Sequence, residues 1–341
     1  MKKVIIAEKP SVAKNIADAY KIKTRRDGFY EGDDYLVTWA FGHLLQLYDA
    51  KDYDENMKGW RMDKFPFIPE GFKYKIKCDS SNREVVDKGA EKQINIIKGL
   101  IDRDDVDGVI SATDFDREGQ VISDELFIHY DIKKPIYRLL LNEWTEDEVK
   151  KGMANLKPNS EMKPLQDAGI GRQLADWTIG INLTSVATLR YGASEKKTIN
   201  IGRVLLPTLK IIYDRDKEIE NFKESSYYKL LVSLKSKDNI EFESLYYENA
   251  SEKFEKKEYL DNLSKLLKEK QAVVVDKEIE KKREYPQSLF NLSNLQGYIT
   301  SKYKGWTSDK VLKVAQGLYE KKLITYPRTA SSVLEESLVD K

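Results

Sequence analysis

The segment Asp114-Phe115-Asp116-Arg117-Glu118-Gly119 gathers three carboxylates within five residues, directly after an apolar run. Alternate residues at a strand end place Asp114 and Asp116 on one side of the turn, where they can share a cation. Glu118, opening the next helix, can reach the same volume. Oxygen donors suit a hard divalent ion such as Mg²⁺, which takes one or two carboxylates plus water and phosphate. An acidic loop that only caps its helix would carry the same residues. Glu8-Lys9 also follows an apolar run, Val4 to Ala7. A Glu and a Lys facing a D-x-D pair suit phosphoryl transfer: the metal and Lys9 offset phosphate charge and Glu8 moves a proton. A surface ion pair is the other reading of Glu8-Lys9.

Tyr326 is a candidate nucleophile among 20 tyrosines because of its setting. Pro327 biases it to an extended backbone. Arg328 places a phosphate-binding guanidinium two residues on. A phenol attacking a phosphodiester would store the bond as a phosphotyrosine ester. Residues 302–328 hold seven basic and two acidic side chains. Thr198 to Lys217 adds Arg203, Lys210, Arg215 and Lys217 against Asp214 and Asp216. Such local patches favour a nucleic-acid backbone, though two ordinary basic helices would read alike.

The elements that must position these groups follow from the hydrophobic pattern. Val4–Ala7, Val109–Ala112 and Ile136–Leu141 read as buried strands. Val12, Ile16 and Tyr20, then Val121, Ile122, Leu126 and Tyr130, mark intervening helices. Strand–helix alternation predicts an α/β domain with a mainly parallel sheet covered on both faces. Such sheets carry their ligands at the C-terminal strand ends, where Glu8 and Asp114 both stand. Thr145 with Glu148 predicts a capped helix. Asp167–Leu189 and Leu205–Ile219 read as helices. Leu230, Val232 and Leu234, a turn at Lys237-Asp238-Asn239, then Ile240 and Phe242 predict a hairpin, and Ala272–Val275 a further strand. The Lys/Glu run from Ser251 to Lys270 reads as a solvated helix face. Ser293 with Gln296 predicts a helix cap, and Leu312, Ala315, Leu318 and Tyr319 line a last helix.

The 341 residues carry 58 Lys and Arg against 57 Asp and Glu, so any basic site must arise by local segregation. One cysteine, Cys78, and two histidines, His43 and His129, exclude an internal disulfide, a multi-cysteine zinc site and a poly-His centre. No apolar stretch approaches the ~18 residues of a membrane span, and the first apolar run ends at Glu8, too early for a signal peptide. A cytoplasmic location is the expectation.

Seven motifs in order resemble the type IA DNA topoisomerases, most closely the bacterial topoisomerase III branch. They are Ala7-Glu8-Lys9-Pro10-Ser11; Phe41-Gly42-His43-Leu44; Ala112 to Gly119; Ala175-Asp176-Trp177 through Asn182; Ile201-Gly202-Arg203-Val204 to Leu209; Ser288 to Leu292 with Leu295-Gln296; and Ile324 to Thr329. The resemblance implies a Toprim domain over 1–152. It implies a partial helical DNA-groove domain over 153–221, a partial strand-rich arch over 222–284 and a partial tyrosine-bearing helical domain over 285–341, within an incomplete multidomain toroid. It also implies residue roles. Tyr326 would attack and hold the 5′-phosphate, with Arg328 on that phosphate, Glu8 as proton donor to the 3′-oxygen and Lys9 on the scissile phosphate. Asp114, Asp116 and Glu118 would hold Mg²⁺. Arg172, Asp176, Gly202 and Arg203 would bind single-stranded DNA, with His43 near the active site. No nucleotide triphosphate is implied, and no P-loop is present.

The chain departs from the family pattern at four places. Gln120 replaces a usual Glu, weakening the case for a second metal. Leu205-Leu206 replaces Gln-Thr, Ser185 a frequent Arg, and Ala330 an Asp beside the nucleophile. The end at Lys341 reads as that of an N-terminal portion of a longer protein. The expectation is then an incompletely clamped Tyr326, no plasmid relaxation and at most a trace of covalent adduct. Two other readings remain open on the residues: a primase- or nuclease-like Toprim phosphotransferase that does not use Tyr326, or a degenerate single-stranded DNA-binding module.

Overall fold

The computed structural model describes residues 1–141, 144–192, 197–268 and 270–334. Glu269 of the charged run and residues 335–341 of the tyrosine-bearing stretch lie outside them. The chain divides into two compact units, residues 1–206 with 288–341, and residues 207–287.

The first unit is built on a seven-stranded sheet ordered β2-β3-β4-β1-β7-β8-β9. β1 (Lys2–Ala7) lies at its centre, parallel to β4 (Tyr35–Trp39) on one side and β7 (Val106–Ala112) on the other. β8 (Ile136–Arg138) continues the parallel set. β2 (Thr24–Arg26), β3 (Phe29–Glu31) and β9 (Lys157–Pro158) add antiparallel edges. Ile136–Leu141 yields a shorter strand than expected: residues 139–141 are outside it, although the Leu139 N–H still donates to the Ser111 carbonyl at 2.9 Å. β5 (Leu45–Leu47) and β6 (Tyr74–Ile76) form a separate pair.

Side chains along a strand alternate between faces, and β1 supplies both cores. Val4 and Ile6 pack with Ile94 and Ile97 of α3 (Lys88–Ile101) and with Ile122 and Leu126 of α4 (Arg117–His129). Ile5 and Ala7 pack with Val12 and Ile16 of α1 (Pro10–Ala19) and Val149 of α5 (Glu146–Ala154), whose N-cap is Thr145. A short α2 (Ala50–Tyr53) follows β5. Each fully buried Ile or Val contributes roughly 1.5–3 kcal/mol, so β1 is fixed from both sides. Its register pairs Ala7 with both Trp39 and Ala112. Three strands thus end level, and Glu8, Phe41 and Asp114 leave the sheet at one edge.

α6 (Lys163–Ala187) packs on α4. The close approach is at Gly169, where an added Cβ would lie 2.3 Å from Val121 Cγ2. In the tyrosine-bearing stretch, α9 (Leu292–Lys302) starts from Asn291, whose side chain accepts from the Asn294 N–H at 2.9 Å. The cap expected at Ser293 is therefore displaced by two residues; Gln296 instead bonds the Ser308 carbonyl. α10 (Ser308–Glu320) buries Val311, Ala315 and Tyr319.

The second unit carries most of α7 (Leu205–Glu220), the hairpin β10 (Leu231–Lys235) and β11 (Glu241–Leu245), and α8 (Lys257–Leu267). Asn239, at φ 61°, makes the turn as expected. Ala272–Val275 is not a strand: it pairs with no strand among the described residues, and Val273, Val274 and Val275 are 79, 83 and 94% exposed. β-propensity does not suffice without a ladder partner.

Among the described residues no helix is long and apolar enough to cross a membrane.

The turn from β7 into α4 has no room for a side chain at Gly119, where a Cβ would lie 2.2 Å from the Asp114 carbonyl oxygen. Gly119→Ala must move backbone against backbone, costing about 1–3 kcal/mol. Calorimetry should show a melting temperature several degrees lower; an unchanged value would contradict this packing.

Candidate active site

The acidic loop rests on a buried cation. Arg138, fully buried on β8, donates to the carbonyls of Thr113 (2.8 Å) and Asp114 (2.7 Å), those of Ser111 and Leu139 (both 3.2 Å), and Gln120 Oε1 (2.9 Å). Burial lowers its pKa to about 10, against the opposing pull of Asp124, Asp114, Glu8 and Asp116. It remains a cation at neutral pH.

Above it, the strand ends bring the expected groups together. The Asp114 N–H donates to Glu8 Oε2 at 3.1 Å. Lys9 Nζ stands 3.5 Å from Glu8 Oε1 and 4.0 Å from Asp114 Oδ2. Asp116 caps α4 through Oδ1, 2.7 Å from the Gly119 N–H. Its Oδ2 accepts the Tyr326 hydroxyl at 2.7 Å, across 210 residues of sequence. Tyr326 packs against Tyr319, ring centroids 5.4 Å apart, beside the α1 core. The nucleophile candidate is thus held against the acidic loop, not loosely placed as the sequence suggested. Burial, the Asp114 charge and the bond to Asp116 all push the Tyr326 phenol far above its ordinary pKa, so it rests protonated. Arg328 is exposed and makes no bond to the acidic group.

Asp114 is pushed up to about 6, first by burial and then by Glu8, with Asp116 adding and Lys9 opposing. These crowded carboxylates with one nearby lysine are an all-oxygen donor set, whose chemistry fits a hard divalent cation. Asp114, Asp116 and Glu118 do not converge as the expected ligand set, however. Among the described residues no three carboxylate, His or Cys side chains are so arranged. Both Asp116 oxygens are engaged, and Glu118 turns into an adjoining cavity.

That cavity, about 350 Å³, is lined by His43, Asp116, Glu118, Arg172, Gln173 and Asp176, among others. His43 and Gln173 also line a second cavity of about 550 Å³ with Lys77, Arg83 and Trp177. Arg203 binds Asp176 through both carboxylate oxygens, at 2.8 and 3.0 Å, and Arg172 approaches it at 3.8 Å. Gly202 contributes no side chain; its neighbour Ile201 is tied by its N–H to Thr184 Oγ1 at 2.9 Å.

Several residues escaped the sequence reading. Glu125, fully buried, bonds His43 Nδ1 at 3.0 Å and orients it toward the cavity. Burial lowers the His43 pKa, but the Glu125 bond and charge, with Glu118 and Glu8, outweigh it and raise the net value. Glu125 is seven residues beyond Glu118, hence on the same helix face, a usable signal. Arg138 was visible as a cation inside an apolar strand. Gln120 is fully buried and faces Arg138, Asp124 (2.8 Å) and Asn159 (3.0 Å) rather than the cleft. Its departure from the family pattern therefore removes no carboxylate from the acidic group. Ala330 lends its carbonyl to Asn291 at 3.4 Å.

A profile described as DNA topoisomerase matches residues 160–341, and one described as Toprim domain matches residues 3–144. The first covers over half the chain, which therefore belongs to the DNA topoisomerase family. DNA topoisomerase 3 of Staphylococcus aureus strain MRSA252 is 36% identical over 341 residues, all of this chain and 45% of that protein. DNA topoisomerase 3 of Bacillus cereus is 35% identical over 339 residues, covering 99% of this chain and 44% of that protein. The fold matches full-length topoisomerase I from Thermotoga maritima with a TM-score of 0.66 at 24% identity, covering 98% of this chain and 50% of that one. The chain spans about half the length of these relatives. Toprim domains are generally metal-binding.

Because the folded pKa of Asp114 is raised, ionising it costs stability as pH rises from about 4 through 6, roughly 3 kcal/mol at the upper end. Asp114→Asn should melt higher than the parent at pH 7.5, with the gap closing toward pH 4. A gap independent of pH would contradict the crowding of this site.

Proposed function

We propose that the chain carries the DNA-cleaving site of a type IA topoisomerase, an ATP-independent isomerase. One observation carries the reading: the Tyr326 hydroxyl lies 2.7 Å from Asp116, beside Glu8, Lys9 and Asp114 at the C-terminal edge of the sheet. Tyr326 Oη forms a bond to phosphorus as the P–O3′ bond breaks, leaving a 5′-phosphotyrosine. The phenol proton goes to the carboxylates around it, and Glu8 would serve as proton donor to the departing 3′-oxygen. Lys9 and Arg328 bind the phosphate oxygens. Religation reverses each step.

Asp114, Asp116 and Glu118 stand apart in this structure; to hold Mg²⁺, Asp116 would have to release Tyr326 and Glu118 turn in from its cavity, and the ion would then supply positive charge against the phosphate and the crowded carboxylates. Single-stranded DNA would run along the two joined cavities, with phosphates on Arg172, Arg203 and Lys77 and a base near Trp177; His43 orients the strand at the cleft. The four-part division at 152, 221 and 284 belongs to the same reading, as does strand passage by the whole protein. A phosphotransferase that ignores Tyr326 is less well supported, because the fold brings that residue 210 positions to the acidic loop.

Single-stranded oligonucleotide labelled at its 5′ and, separately, 3′ end should give a denaturation-resistant adduct that retains only the 3′ label. Tyr326→Phe should abolish it. An adduct of equal yield in the Phe variant would overturn the reading. Arg172→Ala and Arg203→Ala should each weaken single-strand binding several-fold and flatten its salt dependence. Equal affinity for duplex, or an unchanged salt slope, would remove the groove assignment.

A further inference from the structure

On the far side of the Phe41-Gly42-His43 turn lies a third cavity, about 510 Å³, that the chemistry above does not use. Gly42 has φ +76° with nothing within 4 Å of an added Cβ, so the demand for glycine is the turn itself. The turn gives His43 to the cleft and Phe41 to this third cavity. Phe41 is 53% exposed, a large ring two residues beyond the end of β4. The floor is rigid: the buried Gln93 amide donates to Trp39 O at 2.8 Å, Thr38 Oγ1 at 3.0 Å and Gly28 O at 3.3 Å.

Three cations rim it. Arg25 has no carboxylate partner among the described residues and lies over the Tyr30 ring. Arg26 pairs with Glu31 at 3.1 Å and Lys92 with Asp27 at 2.8 Å. Both pairs are solvent-facing, and such pairs contribute only about 0–1 kcal/mol, so a phosphate can take these cations over. An exposed aromatic face among cations is the arrangement that binds single strands by base stacking and backbone contact.

We propose that this cavity is a second subsite for single-stranded DNA, in which Phe41 stacks on a base and Arg25, Arg26 and Lys92 hold phosphates of a strand that has passed the acidic cleft over Gly42. The inference rests on the single-strand reading proposed above and extends the footprint to the opposite side of the turn. The two cavities beside α6 then hold the strand on the His43 side of the turn and this subsite holds it on the Phe41 side.

The test is fluorescence anisotropy of the whole chain with an oligothymidylate length series. Affinity should rise with length in two steps, the second when the strand reaches Phe41. Phe41→Ala and Arg25→Ala should remove the second step, about tenfold in long-strand affinity, and leave the shortest binding strands unaffected. Phe41→Trp should retain it. Arg172→Ala should weaken strands of every length, which separates failure of the groove from failure of the subsite. Long-strand affinity unchanged by Phe41→Ala and Arg25→Ala, or reduced equally for short and long strands, overturns the subsite. A chain that binds no strand of any length overturns both readings.

Discussion

The guanidinium of Arg138 is the interaction on which the site depends. A charge buried this deeply is stable only when its donors are met, and here they are met by the backbone of the segment that carries Asp114. Loss of the cation would leave buried carbonyls without donors, each costing about 1–3 kcal/mol, and would release the loop. One buried cation thus fixes where the carboxylates stand and lowers the energy of gathering them.

The same network runs outward. Gln120 bonds Arg138 with its carbonyl and gives its amide to Asp124 and Asn159, while Asp124 also accepts from Gln166 on α6 at 2.9 Å. Together with the contact at Gly169, these bonds set α6 against α4. The positions of Arg172 and Asp176 relative to the acidic loop are therefore consequences of packing on α4 rather than of loop conformation. An amide at position 120 suits this place, since it can donate to Asp124 and accept from Arg138 at once.

Much of this was legible in the residues. Val4–Ala7 and Val109–Ala112 are apolar runs that stop at charged residues, and that abrupt change marks the edge where Glu8 and Asp114 emerge. Tyr326 was legible through Pro327 and Arg328. Its meeting with Asp116 was not, because a contact across 210 residues leaves no local pattern. β2 is three exposed residues, Thr24–Arg26, without alternation to betray it. Ala272–Val275 misled for the opposite reason: its residues favour a strand, but no described strand pairs with it. Asn291 rather than Ser293 caps α9 because capping depends on the backbone angle of the cap residue, which spacing alone does not specify.

The central claim is that one phenol of 20 is the nucleophile. The most direct measurement is peptide mapping of the trapped DNA adduct by mass spectrometry after nuclease trimming. The expected result is a nucleotide joined through its 5′-phosphate to the peptide containing Tyr326 and to no other. A nucleotide on any other residue would contradict the claim.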